Sequence, residues 1–204
     1  RNISTPISTP ELPRSYDPAA IEPSIRDAWA QARLGHATTQ VPDGKPPFAV
    51  LLPPPNVTSI LHLVHALNAT LQDVIVRHAR MRGMETLWMP GTDNAGIATQ
   101  TAVERRLLQD GKRRSDYTRD AFVELIHAWK DEYGATILSQ LKELGASCDW
   151  QRTRFTMDPV CAAAVREAFF QLFDEGLIFR GKRLVNWDPA TGTALADDEV
   201  EMEE

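Results

Sequence analysis

The sequence predicts an α/β protein built on a parallel sheet with crossover helices. A short apolar run, "FAVLL" at 48–52, strikes three consecutive prolines and gives way to a segment of helical periodicity. A second short run, "TLWMP", follows, and it too is succeeded by an amphipathic stretch. Strand, helix, strand, helix in that order implies parallel pairing through right-handed crossovers.

Residues 1–16 are rich in Ser, Thr and Pro and read as a loosely held arm. In "YDPAAIEPSIRDAWAQARLG", Asp17 is placed to cap a helix, Pro18 to occupy its first turn and Gly35 to stop it, with Trp29 and Leu34 facing inward. The strand at 48–52 is apolar throughout, as a strand buried on both faces should be. Pro53, Pro54 and Pro55 cannot donate to a ladder, so pairing is expected to end there. Thr58 or Ser59 then caps a helix running to about Arg82, with Gly83 beyond its end.

"METLWMPGTD" reads as a second strand with a Pro-Gly break, followed by a helix from Ala95 to Gln109 that stops at Gly111. Thr118 opens a longer helix with an apolar stripe through Phe122, Leu125, Ile126, Trp129, Ile137, Leu141 and Leu144, ended by Gly145. Asp158 caps a further helix that starts at Pro159 and ends at Gly176. "LIFRGKRLVNWDP" alternates, which predicts two strands around Gly181-Lys182. The class is therefore α/β and Rossmann-like, and in such sheets ligands bind beyond the carboxyl ends of the strands. Two loops sit at such ends, 53–58 and 90–94.

With 204 residues, 43% hydrophobic and 25% charged, the composition is that of an ordinary globular chain long enough to bury a core. No apolar run approaches the roughly 20 residues that span a bilayer, and the first residues lack the apolar core of a signal peptide. Cys148 and Cys161 form no CxxC pair, so neither a disulfide framework nor a zinc site is indicated, and a reducing cytoplasm is the default compartment. A net charge of −6 excludes a chain-wide polyanion-binding surface. The local run "RRLLQDGKRRSDYTR" at 105–119 reads equally as a basic patch or as a solvated helix end. The chain begins without Met and stops in "ALADDEVEMEE", so both ends read as cut from something longer.

A strand that stops at a helix N-terminus presents unpaired N–H groups and the positive end of the macrodipole to an anion. His62 and His65, on the first turns and one face of that helix, add donors suited to phosphate. Two helical histidines are also common as surface or satisfied core residues. Zinc would need more ligands than the two histidines, and the HExxH pattern is absent, as are GxxxxGK[ST] and GxGxxG. Asp93 reads either as a helix N-cap worth about 1 kcal/mol or as a carboxylate placed to hold an ammonium group.

"PPPNVT", "LHLVHALNATLQD" and "GTDNAGIATQ", with "LKELGASCDWQRTRFTMDP" and "EGLIFRGKRLVNWDP" downstream, resemble the catalytic domain of the valyl-tRNA synthetases, a class I family. The resemblance runs from about Tyr16 to Glu201. It implies a ligase in which ATP and L-valine give valyl-adenylate and pyrophosphate, after which the valyl group passes to tRNA(Val). It implies that His62 and His65 are catalytic and line the ATP phosphates, and that Thr58 and Val64 also belong to the ATP site. It implies further that Asn94 faces the nucleotide, that Pro54 and Asn56 border the valine pocket, and that Asp93 holds the α-ammonium. Mg2+ is expected with the ATP, and no protein-bound metal, a monomer and a cytoplasmic location are expected.

In domain terms the resemblance divides the chain into the arm 1–16, a Rossmann-like half-domain 17–182, and from 183–204 the start of the connective-peptide insertion. That insertion edits threonyl-tRNA in the family, because an apolar pocket rejects a hydroxyl-bearing isostere only about 100-fold.

The family reads TGxLHxGHA and DHAG. Here Ser59, Val64 and Asn94 stand at the first glycine, the glycine inside the tetrapeptide and the histidine. Val64 is expected to crowd an adenine ring, at about 1–3 kcal/mol for overpacking of this kind. The helix gains up to about 1 kcal/mol by losing a glycine. A catalytically disabled paralogue that serves as a binding module is therefore the alternative reading. A small nucleotidyltransferase is a third, for which "GTDNAGIATQ" has no evident use.

Overall fold

The structure, a computed structural model, describes residues 15–40, 44–190, 192–197 and 200–201. All but the last two residues of the expected arm 1–16 lie outside that set. The chain parts into two compact units, Arg1–Cys161 and Ala162–Glu204.

In the first unit, Asp17 caps α1 (Pro18–Gln31) by accepting the Ala19 N–H at 3.1 Å, with Pro18 in the first turn. The expectation that Trp29 and Leu34 face inward is wrong. α1 buries no residue, the two side chains are 37% and 56% exposed, and the Trp29 ring instead carries the Arg77 guanidinium at 4.9 Å. Gly35 is not the stop either, because the chain turns at Arg33, whose φ is 51°. Gly35 is needed for close approach: a Cβ there would lie 2.3 Å from the carbonyl oxygen of Cys148.

The sheet comprises β1 (Pro47–Leu51), β2 (Glu85–Met89), β3 (Gly91–Thr92) and β4 (Arg154–Phe155). β1 pairs parallel with β2, and β3 parallel with β4. β2 and β3 are one run interrupted at Pro90. Met89 O accepts from Leu52 N–H at 3.0 Å and Trp88 O from Asp149 N–H at 2.8 Å. Successive carbonyls of a strand point to opposite sides, so β1 flanks this central run on one side and the 149–156 segment on the other.

Two sequence expectations about β1 need correction. It is not buried on both faces: Phe48 and Val50 are half-buried, while Pro47, Ala49 and Leu51 are exposed. Nor does pairing end at the prolines. A proline lacks a donor but keeps its carbonyl, so Pro55 O accepts the Asp93 N–H at 2.8 Å. The ladder then resumes as a parallel bridge between Asn56 and Asp93, with Val57 N–H donating to Asp93 O at 2.9 Å.

α2 (Leu63–Met81) crosses between β1 and β2, and α3 (Ile97–Gln109) and α4 (Arg119–Glu143) lie between β3 and β4. Small residues on α2, Ala69 and Ala79, let it sit close to the sheet, with Val76 beside them in the core. Trp88, fully buried, donates its indole N–H to Gln72 of α2 at 3.1 Å. Ile137 and Leu141 of α4 join the same core, whereas Leu144 is 45% exposed, contrary to the predicted stripe. Val103 and Leu107 of α3 pack with Phe122 in a second, smaller cluster.

Thr118 caps α4 as expected, accepting the Ala121 N–H at 3.3 Å. α3 begins at Ile97 with Gly96 in the capping position, two residues later than the sequence predicts.

α5 (Pro159–Asp174) is capped by Asp158, which accepts the Cys161 N–H at 2.8 Å. Its end is marked by Gly176 at φ 73°. Strands around Gly181-Lys182 do not form. The hairpin lies further on, with β5 (Asn186–Asp188) antiparallel to β6 (Thr193–Leu195). The local reason is Asp188, whose side chain accepts the Ala190 N–H at 2.9 Å and whose carbonyl accepts the Gly192 N–H at 2.9 Å. An Asx turn closed by a left-handed glycine outcompetes a Gly-Lys pair as the reversal.

Candidate functional site

The two strand-end loops meet. Asn56 and Asp93 are bridged across the central run, and the backbone of Asp93 is held from the β1 side by Pro55 O and Val57 N–H. Its side chain is held from the β4 side. Thr156 Oγ1 donates to Asp93 Oδ1 at 2.7 Å, and Asn94 N–H donates to the same oxygen at 2.9 Å. Among the described residues nothing bonds Asp93 Oδ2. Asp93 does not cap α3, whose capping position is Gly96; its carboxylate instead joins Thr156 and Asn94.

Pro54 is half-buried in the first loop, against β3: a Cβ added at Gly91 would lie 3.8 Å from the Pro54 Cβ and 2.8 Å from Arg154 O. Asn94 is half-buried, and its carbonyl accepts the Thr99 hydroxyl at 2.8 Å, which ties the second loop to the first turn of α3.

The start of α2 departs from expectation. Neither Thr58 nor Ser59 caps it. Thr58 lies half-buried in a turn, Ser59 Oγ donates to Ile60 O at 3.2 Å, and the helix starts at Leu63 with His62 in the capping position. The delay has a non-local cause in α4. Trp129 donates its indole N–H to Val57 O at 2.8 Å, and Gln140 Oε1 accepts the Leu61 N–H at 2.9 Å. These bonds hold Val57 O and Leu61 N–H outside a helix, and α2 begins beyond them.

His62 is thus the residue before the helix rather than on it, and His65 lies in its first turn. Their rings lie 3.9 Å apart at 39°, and His65 Nδ1 accepts the His62 N–H at 3.3 Å. An accepting Nδ1 carries no proton, so the neutral ring of His65 holds its proton on Nε2. Burial, and then the adjacent His62, hold the His65 imidazole below its ordinary pKa. The first helical bond runs from Ala66 N–H to His62 O at 3.2 Å, which leaves the N–H groups of Leu63 and Val64 ahead of the ladder. Val64, in that turn, is 67% exposed.

Sequence reasoning placed Trp129 only in an apolar stripe and singled out neither Thr156 nor Gln140. They stand 63 to 79 residues from their partners, beyond the reach of any local pattern. A groove of about 340 Å3, lined in part by Trp29, Gly35, Lys142 and Trp150, holds none of the predicted site residues. Among the described residues no group of three or more His, Cys, Asp or Glu side chains could hold a metal, and no helix is long and apolar enough to cross a membrane.

A parallel α/β sheet with crossover helices and two strand-end loops brought together is a Rossmann-like architecture. Residues 24–204 match the tRNA synthetases class I (I, L, M and V), and the chain belongs to that family. It is 56% identical over 191 residues to the valine--tRNA ligase of Rhodopirellula baltica, covering 93% of this chain and 18% of that protein. It is 55% identical over 194 residues to the valine--tRNA ligase of Chlamydia felis, covering 95% and 20%.

The crystal structure of the ternary complex of Agrobacterium radiobacter K84 agnB2 LeuRS-tRNA-LeuAMS superposes with a TM-score of 0.71 at 23% identity, over 92% of this chain and 22% of that one. This second likeness shows the fold. The chain spans about a fifth of the length of the curated relatives it matches.

Proposed function

We propose that this chain is part of the catalytic domain of a valine–tRNA ligase, which activates L-valine with ATP and transfers it to tRNA(Val). The observation that carries the reading is the 56% identity to a valine--tRNA ligase over 93% of the chain. The geometry supports it at each loop. Among the described residues Asp93 Oδ2 has no partner, and in this reading it holds the valine ammonium, with Pro54 and Asn56 bordering the valine pocket.

His62, His65 and the N–H groups that begin α2 would take the phosphates, and Thr58 and Asn94 belong to the same nucleotide site in this reading. The neutral His65 offers one N–H from Nε2, which serves an oxygen whose charge grows in the transition state. In-line attack of the valine carboxylate on the α-phosphate then gives valyl-adenylate and pyrophosphate. Mg2+ comes with the nucleotide and offsets phosphate charge. A cytoplasmic monomer and a connective-peptide insertion beginning near residue 183 belong to the same reading.

One observation favours a second reading, a disabled paralogue acting as a binding module: the exposed Val64 on the first turn of α2, where the resemblance expects glycine. Valine-dependent ATP–pyrophosphate exchange separates the two, measured on the chain beside a Val64→Gly variant and a Ser59→Gly, Val64→Gly, Asn94→His variant. Exchange that rises at least tenfold in the variants supports a synthetase site obstructed by Val64. Exchange in the unmodified chain that no variant exceeds removes the obstruction argument.

A further inference from the structure

We infer that Thr156 is the positioning residue for Asp93, and through it for the amino group of the amino-acid substrate; this rests on Asp93 as the ammonium holder. Thr156 reaches the site through sheet register. Its N–H donates to Thr92 O at 3.2 Å, extending β4 along β3 and setting the side chain beside residue 93. The hydroxyl has one proton, which goes to Asp93 Oδ1 at 2.7 Å. Its lone pairs then face the Asn94 N–H, which approaches Thr156 Oγ1 at 3.2 Å and Asp93 Oδ1 at 2.9 Å. Asp93 Oδ1, Thr156 Oγ1 and Asn94 N thus close a ring that fixes the carboxylate plane and leaves Oδ2 for a ligand.

The ring performs two tasks. It commits Oδ1 to protein donors, so the ammonium meets one oxygen in one place. It also ties Asn94, on the nucleotide side, to the residue that holds the amino acid. Valine at 156 would keep the shape and remove both the donor and the acceptor, whereas serine would keep both. A carboxylate freed to rotate holds the ammonium in several orientations, and the lost orientation appears as weaker discrimination for the charge.

The test uses two probes in isothermal titration: a valyl-sulfamoyl adenosine, which bears the α-ammonium, and its deamino counterpart. The affinity ratio of the two reports the ammonium contact alone. The unmodified chain should favour the first probe. Asp93→Asn should abolish the preference, Thr156→Val should reduce it roughly tenfold, the worth of one hydrogen bond to a charged group, and Thr156→Ser should restore it.

A Thr156→Val chain that keeps the full ratio while Asp93→Asn loses it overturns the positioning role and leaves the ammonium reading standing. An Asp93→Asn chain that keeps the ratio, or failure of both probes to bind, overturns that reading itself. Amide exchange gives a readout without ligand. The Asn94 N–H should exchange several-fold faster in Thr156→Val and not in Thr156→Ser, and unchanged exchange in both would show that the ring does not form.

Discussion

Replacing Asp149 by Asn tests how the segment that carries Thr156 is held. The Asp149 side chain is fully buried and gathers four donors. These are Ala37 N–H on Oδ2 at 3.1 Å, His36 Nδ1 on Oδ1 at 3.2 Å, Gln151 N–H on Oδ1 at 3.3 Å, and Arg152 Nη1 on Oδ2. The amide keeps the shape but turns one acceptor oxygen into an NH2 that faces donors. A buried N–H left unsatisfied costs about 1–3 kcal/mol, and breaking a buried charged pair about 3–5 kcal/mol. The Arg152 side chain is still 24% exposed and its Nη1 keeps Ala37 O at 2.8 Å, which favours the lower part of that range.

A loss of about 3 kcal/mol should move the urea midpoint by about 1.5 M, taking a slope of about 2 kcal/mol/M. The pH dependence supplies the sign. Burial opposes ionisation of Asp149, but the Ala37 N–H, His36 and Arg152 outweigh it and hold the carboxyl below the usual carboxylate range. A carboxyl with a depressed folded pKa contributes stability that is complete above its unfolded value, about 3.9, and is lost as pH falls through the folded one.

The difference between the chain and Asp149→Asn, read by circular dichroism across a urea series, should therefore be present at pH 5 and shrink as the pH falls below 4. A difference under 1 kcal/mol at pH 7, or one that does not shrink in acid, would refute the reasoning.

Gly35→Ala should destabilise by about 1–3 kcal/mol in the same urea series, because its new Cβ would meet the backbone of Cys148 at 2.3 Å and that of Ser147 at 2.9 Å. Backbone cannot swing aside as a side chain can. The two thiols should react in order. Burial pushes the Cys148 thiol up to about 12, while Cys161 is only half-buried, so a disulfide reagent at pH 8 should label Cys161 in the folded chain and Cys148 only on unfolding. Mass spectrometry of the labelled peptides checks this, and early labelling of Cys148 would contradict its placement in the core.

What the sequence made legible was whatever short-range chemistry decides. Asp17, Thr118 and Asp158 cap their helices because a side chain two or three residues away from its N–H needs no help from elsewhere. The run-and-break pattern fixed the parallel order of β1 and β2 for the same reason. Errors fall where distant atoms satisfy the backbone. Thr58 and Ser59 look like caps until Trp129 takes Val57 O and Gln140 takes Leu61 N–H. Gly35 looks like a stop until Cys148 is seen to pass against it.

The three prolines carry the most instructive error. Reading them as donors removed gives a strand that ends, and a loop free to face a ligand. Reading them also as acceptors kept gives a ladder that passes through the break, with Pro55 O holding Asp93 N–H at 2.8 Å and Asn56 bridged to Asp93 beyond. The prolines strip the loop of donors that would otherwise seek partners, and the remaining carbonyl fixes the other loop's carboxylate-bearing residue.

That arrangement explains why the proposed site is split between two loops about 40 residues apart in the chain and yet needs no cavity of its own to be defined. The backbone of Asp93 is set from one side by Pro55 and Val57, and its side chain from the other by Thr156. A carboxylate constrained from both neighbouring strands is oriented before any ligand arrives, and the cost of orienting it falls on folding rather than on binding.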